Sequence, residues 1–241
     1  MPRTPSVSIV LPTFNERETL ERIHPRLVAA VAGRDAEIVV VDDSSPDGTG
    51  DLVRSLADRG PYRLVERPAR SGLASAVLDG FRAARGDRIV VMDADGSHPP
   101  ETIGPLLEPL ERGEAEFVLA SRRAPGGSSP GLSRPRQAIS FGARMLAWPL
   151  IRVSDPMSGF FAFDRRILAR NELHPVGYKI ALEVLVRCRP SPIREVGFVF
   201  SERIAGESKL NGSEVGAYLH HIARLYGFRL SGGARRARST R

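Results

Sequence analysis

Two carboxylates that directly follow a run of apolar residues constrain the fold more than any other feature of the chain. Residues 89–92 read Ile-Val-Val-Met, and Asp93 and Asp95 come next. Four consecutive apolar residues predict a strand buried on both faces, so both carboxylates lie at its carboxyl end. Open α/β sheets bind ligands at that edge. The pair can hold one divalent cation that bridges nucleotide phosphates, although an Asp-x-Asp pair alone also serves as a helix cap.

Two other predicted strand ends carry polar side chains as well. Residues 38–41 are apolar and lead into Asp42-Asp-Ser-Ser-Pro-Asp-Gly48, and residues 7–11 lead into Pro12-Thr-Phe-Asn-Glu16. A stretch rich in Asp, Ser, Pro and Gly is typical of an ordinary turn. A turn does not require three carboxylates at the mouth of a buried strand. The sequence therefore brings polar groups from three strand ends to one edge of a sheet.

Strand-like and helix-like segments alternate along the first half of the chain. The predicted strands are 7–11, 36–42, 62–66, 88–92 and 116–121, and the predicted helices are 16–32, 49–59, 71–85 and 99–112. We expect Asn15 to cap the first helix. Its buried face is expected to comprise Leu20, Ile23, Leu27 and Val31. This alternation predicts an α/β fold with a mostly parallel sheet and helices on both faces.

Length and composition fit a single globular domain. The chain has 241 residues, of which 41% are hydrophobic and 26% charged, enough to bury one large core. The only cysteine, Cys188, excludes an intramolecular disulfide and a cysteine-based zinc site, and we expect it to pack as a small apolar residue. Residues 1–6 are polar and lead directly into a strand, which favours a protein without a signal peptide and a cytoplasmic location.

The carboxyl-terminal region combines an apolar stripe with a basic tail. The formal net charge is +7, and residues 229–241 contain five arginines. An amphipathic helix is predicted over 214–226 from the spacing of Val215, Tyr218, Leu219, Ile222, Leu225 and Tyr226. This helix either packs on the core or docks at an anionic membrane surface. The apolar stretch 138–153 is too short to cross a bilayer. No nucleic-acid recognition motif accompanies the basic residues.

Six motifs occur along the chain in an order and spacing that can be compared with those of known protein families. They are Pro12-Thr-Phe-Asn-Glu16, Val41-Asp-Asp-Ser-Ser-Pro-Asp-Gly-Thr49, Gly72-Leu-Ala-Ser-Ala-Val-Leu-Asp-Gly80, Asp93-Ala-Asp-Gly-Ser-His-Pro-Pro-Glu101, Ala120-Ser-Arg122 and Asp155-Pro-Met-Ser-Gly-Phe160. Together they resemble family-2 glycosyltransferases of the GT-A fold. Two later segments, 177–183 and 202–210, are similar to those of dolichol-phosphate and polyprenol-phosphate mannosyltransferases. The resemblance implies one GT-A domain over residues 1–228, with a tail at 229–241 that we expect to be disordered.

The resemblance also implies a reaction and a metal ion. The expected reaction is an inverting transfer of mannose from GDP-mannose to a dolichyl or polyprenyl phosphate. The metal, Mg²⁺ or Mn²⁺, is assigned to Asp93, Asp95 and Ser97, and Asp95 has the main part in neutralising the departing diphosphate. Archaeal-type relatives often have Gln at the position of Ser97, so the choice of metal stays open.

The resemblance also implies which residues bind the two substrates. The acceptor phosphate is largely ionised at pH 7, so it needs positioning more than a general base, and its site is assigned to Arg122, Arg136 and Ser140. The nucleotide sugar is assigned to Pro12, Phe14, Glu16, Asp42, Asp43, Asp93, Lys179, Glu183, Arg203, Ser208 and Lys209. Glu16 is equally explained as a first-turn helix residue, and Lys179 with Glu183 as an intrahelical pair. The segment 125–133 is interpreted as a lid over the acceptor rather than a passive connector.

The expected partners are the nucleotide sugar, the lipid phosphate and the cytoplasmic membrane face, reached directly or through a separate anchoring subunit. Nucleic acid is not expected. A polyprenyl-phosphate glucosyltransferase or another family-2 enzyme would need the same metal ligands and arginines. The sequence therefore does not determine the identity of the donor sugar. A processive polysaccharide synthase is disfavoured because the chain has no Gln-x-x-Arg-Trp motif. A catalytically silent membrane-associated scaffold is the alternative from another class.

Overall fold

The computed structural model describes residues 5–130, 134–201 and 212–232, with only the backbone at 134–136, 212 and 213. In this part of the chain the strands are β1 (Val7–Thr13), β2 (Ala36–Asp42), β3 (Tyr62–Glu66), β4 (Arg88–Val91), β5 (Phe117–Ser121), β6 (Phe161–Asp164) and β7 (Ile193–Gly197). They form one seven-stranded sheet in the order β3-β2-β1-β4-β6-β5-β7. Only β6 runs against its neighbours β4 and β5. The expected mostly parallel α/β sheet is confirmed.

Helices cover both faces of this sheet. In the described residues they are α1 (Arg17–Val31), α2 (Thr49–Ala57), α3 (Leu73–Ala83), α4 (Ile103–Glu111), α5 (Arg134–Ala147), α6 (Ile180–Cys188) and α7 (Gly212–Leu230). Alternate residues of β1 face opposite cores, as the two-residue period of a strand requires. Ile9 and Leu11 pack with α1 and α4, whereas Val10 packs with α3 and α6. A strand buried in this way on both faces reads as an uninterrupted apolar run.

The amino-terminal end of α1 differs from its expected form. Asn15 does not cap the helix, because its backbone lies in the left-handed region with a φ of 60°. The neighbouring loop supplies the partners instead. The Arg17 amide donates to Asp47 Oδ2 at 3.0 Å, and the Glu16 amide donates to Thr49 Oγ1 at 3.1 Å. The buried face of α1 is as predicted, since its four apolar residues named above are all buried.

The terminal helix α7 packs against α5 and α6. Its residues Tyr218, Ile222 and Leu225 are buried against apolar side chains of both helices. The Tyr218 hydroxyl donates to the Ala143 carbonyl at 2.6 Å. Half of the apolar stripe predicted at 214–226 therefore faces inward, while Val215 and Leu219 are 39% and 50% exposed. No helix among the described residues is long and apolar enough to cross a bilayer. The tail from residue 233 onward lies outside the described residues.

Candidate active site

The two carboxylates after β4 lie at the carboxyl edge of the sheet, as predicted. Asp95 is buried, and its Oδ1 accepts hydrogen bonds from the Ser97 amide at 2.9 Å and the Ser97 hydroxyl at 2.5 Å. Asp93 is more open, with 31% of its side chain exposed. The tight turn between these residues includes Gly96, whose φ of 80° suits a residue without a Cβ. The turn thus fixes the Asp95 carboxylate, whereas the Asp93 carboxylate is accessible to solvent.

His98 supports this turn from the interior. Its ring is buried, stacks on Phe160 with 4.9 Å between centroids, and accepts the Asp93 amide hydrogen bond at Nδ1 over 3.0 Å. Burial lowers the pKa of His98, and this effect outweighs the opposing charges of Asp93 and Asp95. A neutral ring that accepts at Nδ1 carries its proton on Nε2, 3.9 Å from Asp93 Oδ2. His98 therefore positions the Asp93 turn.

The residues after β4 fit a divalent metal ion that is shared with a substrate. Among the described residues, no three His, Cys, Asp or Glu side chains form a cluster that could hold a metal alone. The available donors are the carboxylates of Asp93 and Asp95 and the Ser97 hydroxyl, all of them hard oxygen ligands. Mg²⁺ in proteins is commonly held by one or two carboxylates together with substrate phosphates and water. The donor set suits a cation completed by phosphate oxygens.

The ends of β1 and β2 lie side by side, because Thr13 pairs with Asp42 in the sheet register. Asp42 is buried and accepts hydrogen bonds from Thr13 Oγ1 at 2.8 Å and Ser45 Oγ at 2.6 Å. Pro12 is buried, while Phe14 and Glu16 are partly buried beside them. The structure thus brings together the residues after β1 and β2 that were assigned to the nucleotide sugar. Asp42 contributes mainly to the turn itself.

Arg67, at the carboxyl edge of the sheet, is buried and binds several side chains at once. The sequence did not predict it as a site residue. Its guanidinium forms an ion pair with Asp43 and donates to Asp79 Oδ2 at 3.0 Å and Ser75 Oγ at 2.7 Å. The Gly72 amide also donates to Asp43, at 3.3 Å. These bonds join the ends of β2 and β3 to the first turns of α3. Asp43 is therefore held in a fixed orientation.

At the end of β5, Arg122 forms a bidentate ion pair with Asp155. Arg122 Nε and Nη2 donate to the two carboxylate oxygens at 2.7 and 2.8 Å. Burial alone would raise the pKa of Asp155, but the hydrogen bonds and charge of Arg122 hold that pKa below its usual range. Asp155 was not among the predicted site residues. Its ionised carboxylate orients the guanidinium, since a bidentate pair fixes both plane and direction.

Arg122 also lines a cleft of about 220 Å³. The other lining residues are Arg123, Ser129, Gln137 and Ser140. The predicted residues Arg122 and Ser140 are thus brought together, and Arg123 adds an exposed cation that was not predicted. Arg136 lies in the first turn of α5, the helix that contains Gln137 and Ser140, but its side chain is outside the described residues. The cleft has the positive and hydroxyl groups that a phosphate monoester requires.

The first part of the predicted lid is bound to the end of β7. The Ser128 amide donates to the Phe198 carbonyl at 3.1 Å, and the Phe200 amide donates to the Ser128 carbonyl at 2.9 Å. A Cβ on Gly197 would lie 2.1 Å from the Pro125 carbonyl oxygen, so this contact requires a glycine. Residues 131–133 are outside the described part of the chain. One wall of the cleft is therefore fixed to the sheet.

Lys179 lies near both the carboxylates after β4 and the Arg122–Asp155 pair after β5. Its Nζ donates to the Met157 carbonyl at 2.6 Å, and the charges of Arg122, Asp93 and Asp155 all act on it. Burial and then the Arg122 charge lower the pKa of Lys179 to about 8, although both carboxylates oppose the shift. Lys179 is therefore mostly protonated at pH 7, between the carboxylates after β4 and the cleft after β5.

Glu183 lies in a different environment from the one predicted. Its carboxylate is fully buried between α6 and α7, 2.7 Å from His221 Nε2 and 2.5 Å from Arg187 Nε. The alternative, an intrahelical pair with Lys179, is not formed, because Glu183 faces α7. The place of Glu183 in the sugar pocket stays a prediction. Three further residues that were assigned to the nucleotide sugar lie outside the described residues; they are Arg203, Ser208 and Lys209.

Comparisons with known proteins agree with this arrangement. The Glycosyl transferase family 2 model matches residues 8–171. The dolichol-phosphate mannosyltransferase of Pyrococcus furiosus is 44% identical over 223 residues, which cover 91% of this chain and 63% of that protein. The chain thus spans less than two thirds of that relative's length. Proteins of the same name from Mycosarcoma maydis and Saccharomyces cerevisiae are 42% and 39% identical, over 94% and 92% of this chain and 81% and 87% of theirs.

Solved structures support the same fold. Glucosyl-3-phosphoglycerate synthase from Mycobacterium tuberculosis, in complex with Mn²⁺, UDP-glucose and phosphoglyceric acid, superposes with a TM-score of 0.72. It is 22% identical, and the match covers 92% of this chain and 80% of that one. This likeness concerns the fold alone. The predicted resemblance is confirmed: the chain belongs to glycosyltransferase family 2 and has the GT-A fold.

Proposed function

We propose that this protein transfers mannose from GDP-mannose to a dolichyl or polyprenyl phosphate, with inversion at the anomeric carbon. The observation that carries the proposal is the pairing of two sites of opposite charge at one sheet edge. Asp93 and Asp95 form the acidic site, and the cleft around Arg122 forms the basic one. Three relatives named dolichol-phosphate mannosyltransferase, at 39–44% identity, support the choice of sugar and lipid.

Each site has a separate part in the transfer. Asp93 and Asp95, with Ser97, would hold a Mg²⁺ or Mn²⁺ ion, which neutralises charge on the leaving diphosphate when bound. Arg122 and Ser140 bind the acceptor phosphate, whose oxygen is already ionised at pH 7 and attacks the sugar directly. Asp155 keeps Arg122 in its binding orientation. A single displacement by this oxygen inverts the anomeric carbon.

A panel of donors tests this function. The protein is incubated with Mg²⁺ or Mn²⁺, a short polyprenyl phosphate and one of GDP-mannose, GDP-glucose or UDP-glucose, and the product is identified by mass. We expect a polyprenyl phosphate that carries one hexose as the product from GDP-mannose. No such product should form after chelation of the metal. Efficient transfer from UDP-glucose in place of GDP-mannose would identify a glucosyltransferase. Absence of any product or donor hydrolysis would favour the silent scaffold.

For the acceptor cleft, we expect Arg122→Ala and Arg136→Ala each to raise the KM for the lipid phosphate by about tenfold or more. The reason is the loss of a charge-assisted hydrogen bond, worth roughly 1.5–3 kcal/mol. Calorimetry should give an unchanged affinity for GDP, and the exposed Arg166→Ala serves as control. The melting temperature is measured in parallel, because Arg122→Ala leaves Asp155 buried without its partner. Lost GDP affinity at unchanged acceptor KM would assign these arginines to the donor.

The membrane contact, in this proposal, is made by α5. Phe141 and Met145 of α5 and Trp148, which directly follows it, have the i, i+4, i+7 spacing of one helical face and are 51%, 52% and 47% exposed. Residues 134–153 contain four arginines and no acidic residue. An exposed apolar face with basic neighbours suits an anionic bilayer surface. Gln137 and Ser140 of the same helix line the acceptor cleft, so docking would bring the cleft to the lipid phosphate.

We expect the triple variant Phe141→Ser, Met145→Ser, Trp148→Ser to lose binding to anionic vesicles in a flotation assay. Activity on a short, soluble acceptor should stay near the parental level, because none of the three residues lines the cleft. Val28→Ser with Leu73→Ser removes two exposed apolar side chains elsewhere and is the control. Equal flotation of the parent and the triple variant would exclude this face and favour the tail or an anchoring subunit.

A further inference from the structure

We infer that Glu195 is a positioning residue for the acceptor, because it holds the Arg122–Asp155 pair in place without lining the acceptor cleft itself. The inference rests on the proposed use of that cleft for a phosphate monoester. Glu195 lies on β7, opposite Leu119 of β5 in the sheet register. Hydrogen bonds connect its carboxylate to the two segments that carry Arg122 and Asp155.

One carboxylate oxygen of Glu195 holds the backbone directly before Asp155. The Ser154 amide donates to Glu195 Oε1 at 2.9 Å. A bond to a backbone amide fixes the chain itself, so it places the next residue, Asp155, relative to β7. Asp155 in turn binds the Arg122 guanidinium at both oxygens and accepts the Arg122 amide at 3.2 Å. The place of the ion pair therefore depends on Glu195.

The other carboxylate oxygen begins a chain of hydrogen bonds through two serines. The Ser154 hydroxyl is bound to Glu195 Oε2, and a carboxylate accepts hydrogen bonds but donates none, so Ser154 is the donor. The Ser154 oxygen is then the acceptor for the Ser121 hydroxyl, at 2.6 Å between the two oxygens. The carboxylate of Glu195 thus determines the direction of both bonds.

This chain ends at the turn that follows Arg122. The Ser121 oxygen accepts the amides of Arg123 and Ala124, both at 3.1 Å. Because Ser121 gives its own proton to Ser154, both of its lone pairs are available to these two amides. Ser121 is fully buried, so an unpaired group at this place would be costly. Arg122 extends into the cleft from a backbone whose neighbours on both sides are held.

The two connections have one consequence for the cleft. Without the carboxylate of Glu195, Arg122 and Asp155 keep their mutual bonds, but the pair is no longer fixed to β7. The guanidinium then shifts relative to Ser140, which lines the same cleft. Charge-assisted hydrogen bonds to a phosphate depend on such convergence. Glu195 therefore acts on the acceptor through Arg122.

The test is steady-state kinetics of Glu195→Gln with the lipid phosphate and GDP-mannose varied in turn. Glutamine keeps the shape but presents an N–H group where one oxygen accepts, so one bond to Ser154 is lost. We expect the KM for the lipid phosphate to rise about fivefold or more, as for loss of one ordinary hydrogen bond, and the KM for GDP-mannose to stay within about twofold. A mere loss of folded protein lowers kcat and leaves both KM values unchanged.

Two substitutions at Ser154 and one matched control complete the test. Ser154→Ala removes the connecting hydroxyl and should raise the acceptor KM as Glu195→Gln does, whereas Ser154→Thr keeps a hydroxyl and should restore it. The control is Glu116→Gln. Glu116 directly precedes β5, at the opposite end from Arg122, where it pairs with Arg170 and accepts the Ser191 amide at 2.8 Å. This variant should lower the melting temperature but keep the parental acceptor KM.

Three results would overturn the inference. They are a parental acceptor KM in both Glu195→Gln and Ser154→Ala, equal acceptor KM values in Ser154→Ala and Ser154→Thr, and a matching rise in Glu116→Gln. Calorimetry of inorganic phosphate, with GDP and Mg²⁺ at saturation, repeats the comparison without sugar transfer. If the parent used no lipid phosphate, the proposed function would fail. Weaker phosphate binding by Glu195→Gln would then still support the inference, and unchanged binding would overturn it.

Discussion

Replacing Asp95 with asparagine is expected to lower the rate of sugar transfer by at least about 100-fold, or ~3 kcal/mol in the barrier. The change removes a negative charge and an anionic ligand where charge develops on the leaving diphosphate. The fold should be retained, because asparagine has the same shape and keeps an oxygen that can accept from Ser97. Steady-state rates across a magnesium titration give the measurement.

Asp87→Asn is a matched control for this prediction. Asp87 directly precedes β4, so the same substitution is made at the opposite end of one strand, where the side chain is exposed. We expect its rate and metal dependence to equal those of the parent. Near-parental transfer by Asp95→Asn over the whole titration would show that the metal assignment is wrong.

Replacing Glu183 with glutamine is expected to reduce the free energy of unfolding by about 3–5 kcal/mol, the usual cost of removing one partner from a buried ion pair. The variant leaves the Arg187 guanidinium buried without its carboxylate and weakens the contact with His221. Urea denaturation at pH 7 measures the effect. Glu172→Gln, at a side chain that is 83% exposed, should change stability little.

The contribution of Glu183 should also depend on pH. Burial alone would raise its pKa, but hydrogen bonds from His221 and the His174 amide, with the Arg187 charge, hold the pKa below its usual range. A carboxyl with a lowered folded-state pKa stabilises the protein above its unfolded pKa and loses this effect as pH falls through the folded pKa. The stability difference between parent and variant should therefore persist from pH 7 to about pH 5 and shrink in stronger acid.

Activity measurements distinguish this structural role from the sugar-pocket role expected from the resemblance. A structural Glu183 affects transfer only as far as it affects the folded fraction. If Glu183→Gln kept the parental stability but lost donor affinity, the carboxylate would belong to the pocket after all. In that case α7 would have to move away from α6 when substrate binds.

The sequence predicted those elements whose signal is local. The bounds of β2 and β3 agree with the expected 36–42 and 62–66. For β2 the reason is its apolar run with a polar end, which marks a buried parallel strand directly. Strand β6 was not predicted. It has only four residues, and its antiparallel pairing with β4 and β5 is a contact between distant parts of the chain that no local pattern marks. The amphipathic pattern of α7 predicted a helix, but such a pattern does not determine what covers the apolar face.

The same limit applies to the site. Asp93 and Asp95 could be placed at this edge because they follow an apolar strand, and Arg122 was assigned from the resemblance. Their supporting partners depend on contacts between distant parts of the chain. Arg122 and Asp155 are 33 residues apart, and Arg67 and Asp43 are 24 apart. No local pattern marks Asp155 as the partner of Arg122 rather than as an ordinary loop residue.

The antiparallel strand β6 also determines how far apart the ends of β4 and β5 lie. It lies between β4 and β5, and adjacent strands are about 4.8 Å apart, so the ends of β4 and β5 are separated by about 10 Å. Without β6 these strands would be neighbours, and Arg122 would come within reach of Asp93 and Asp95. Arg122 would then pair with one of the two carboxylates. Backbone hydrogen bonding of one short strand thus keeps an anionic and a cationic site apart at the same edge of the sheet.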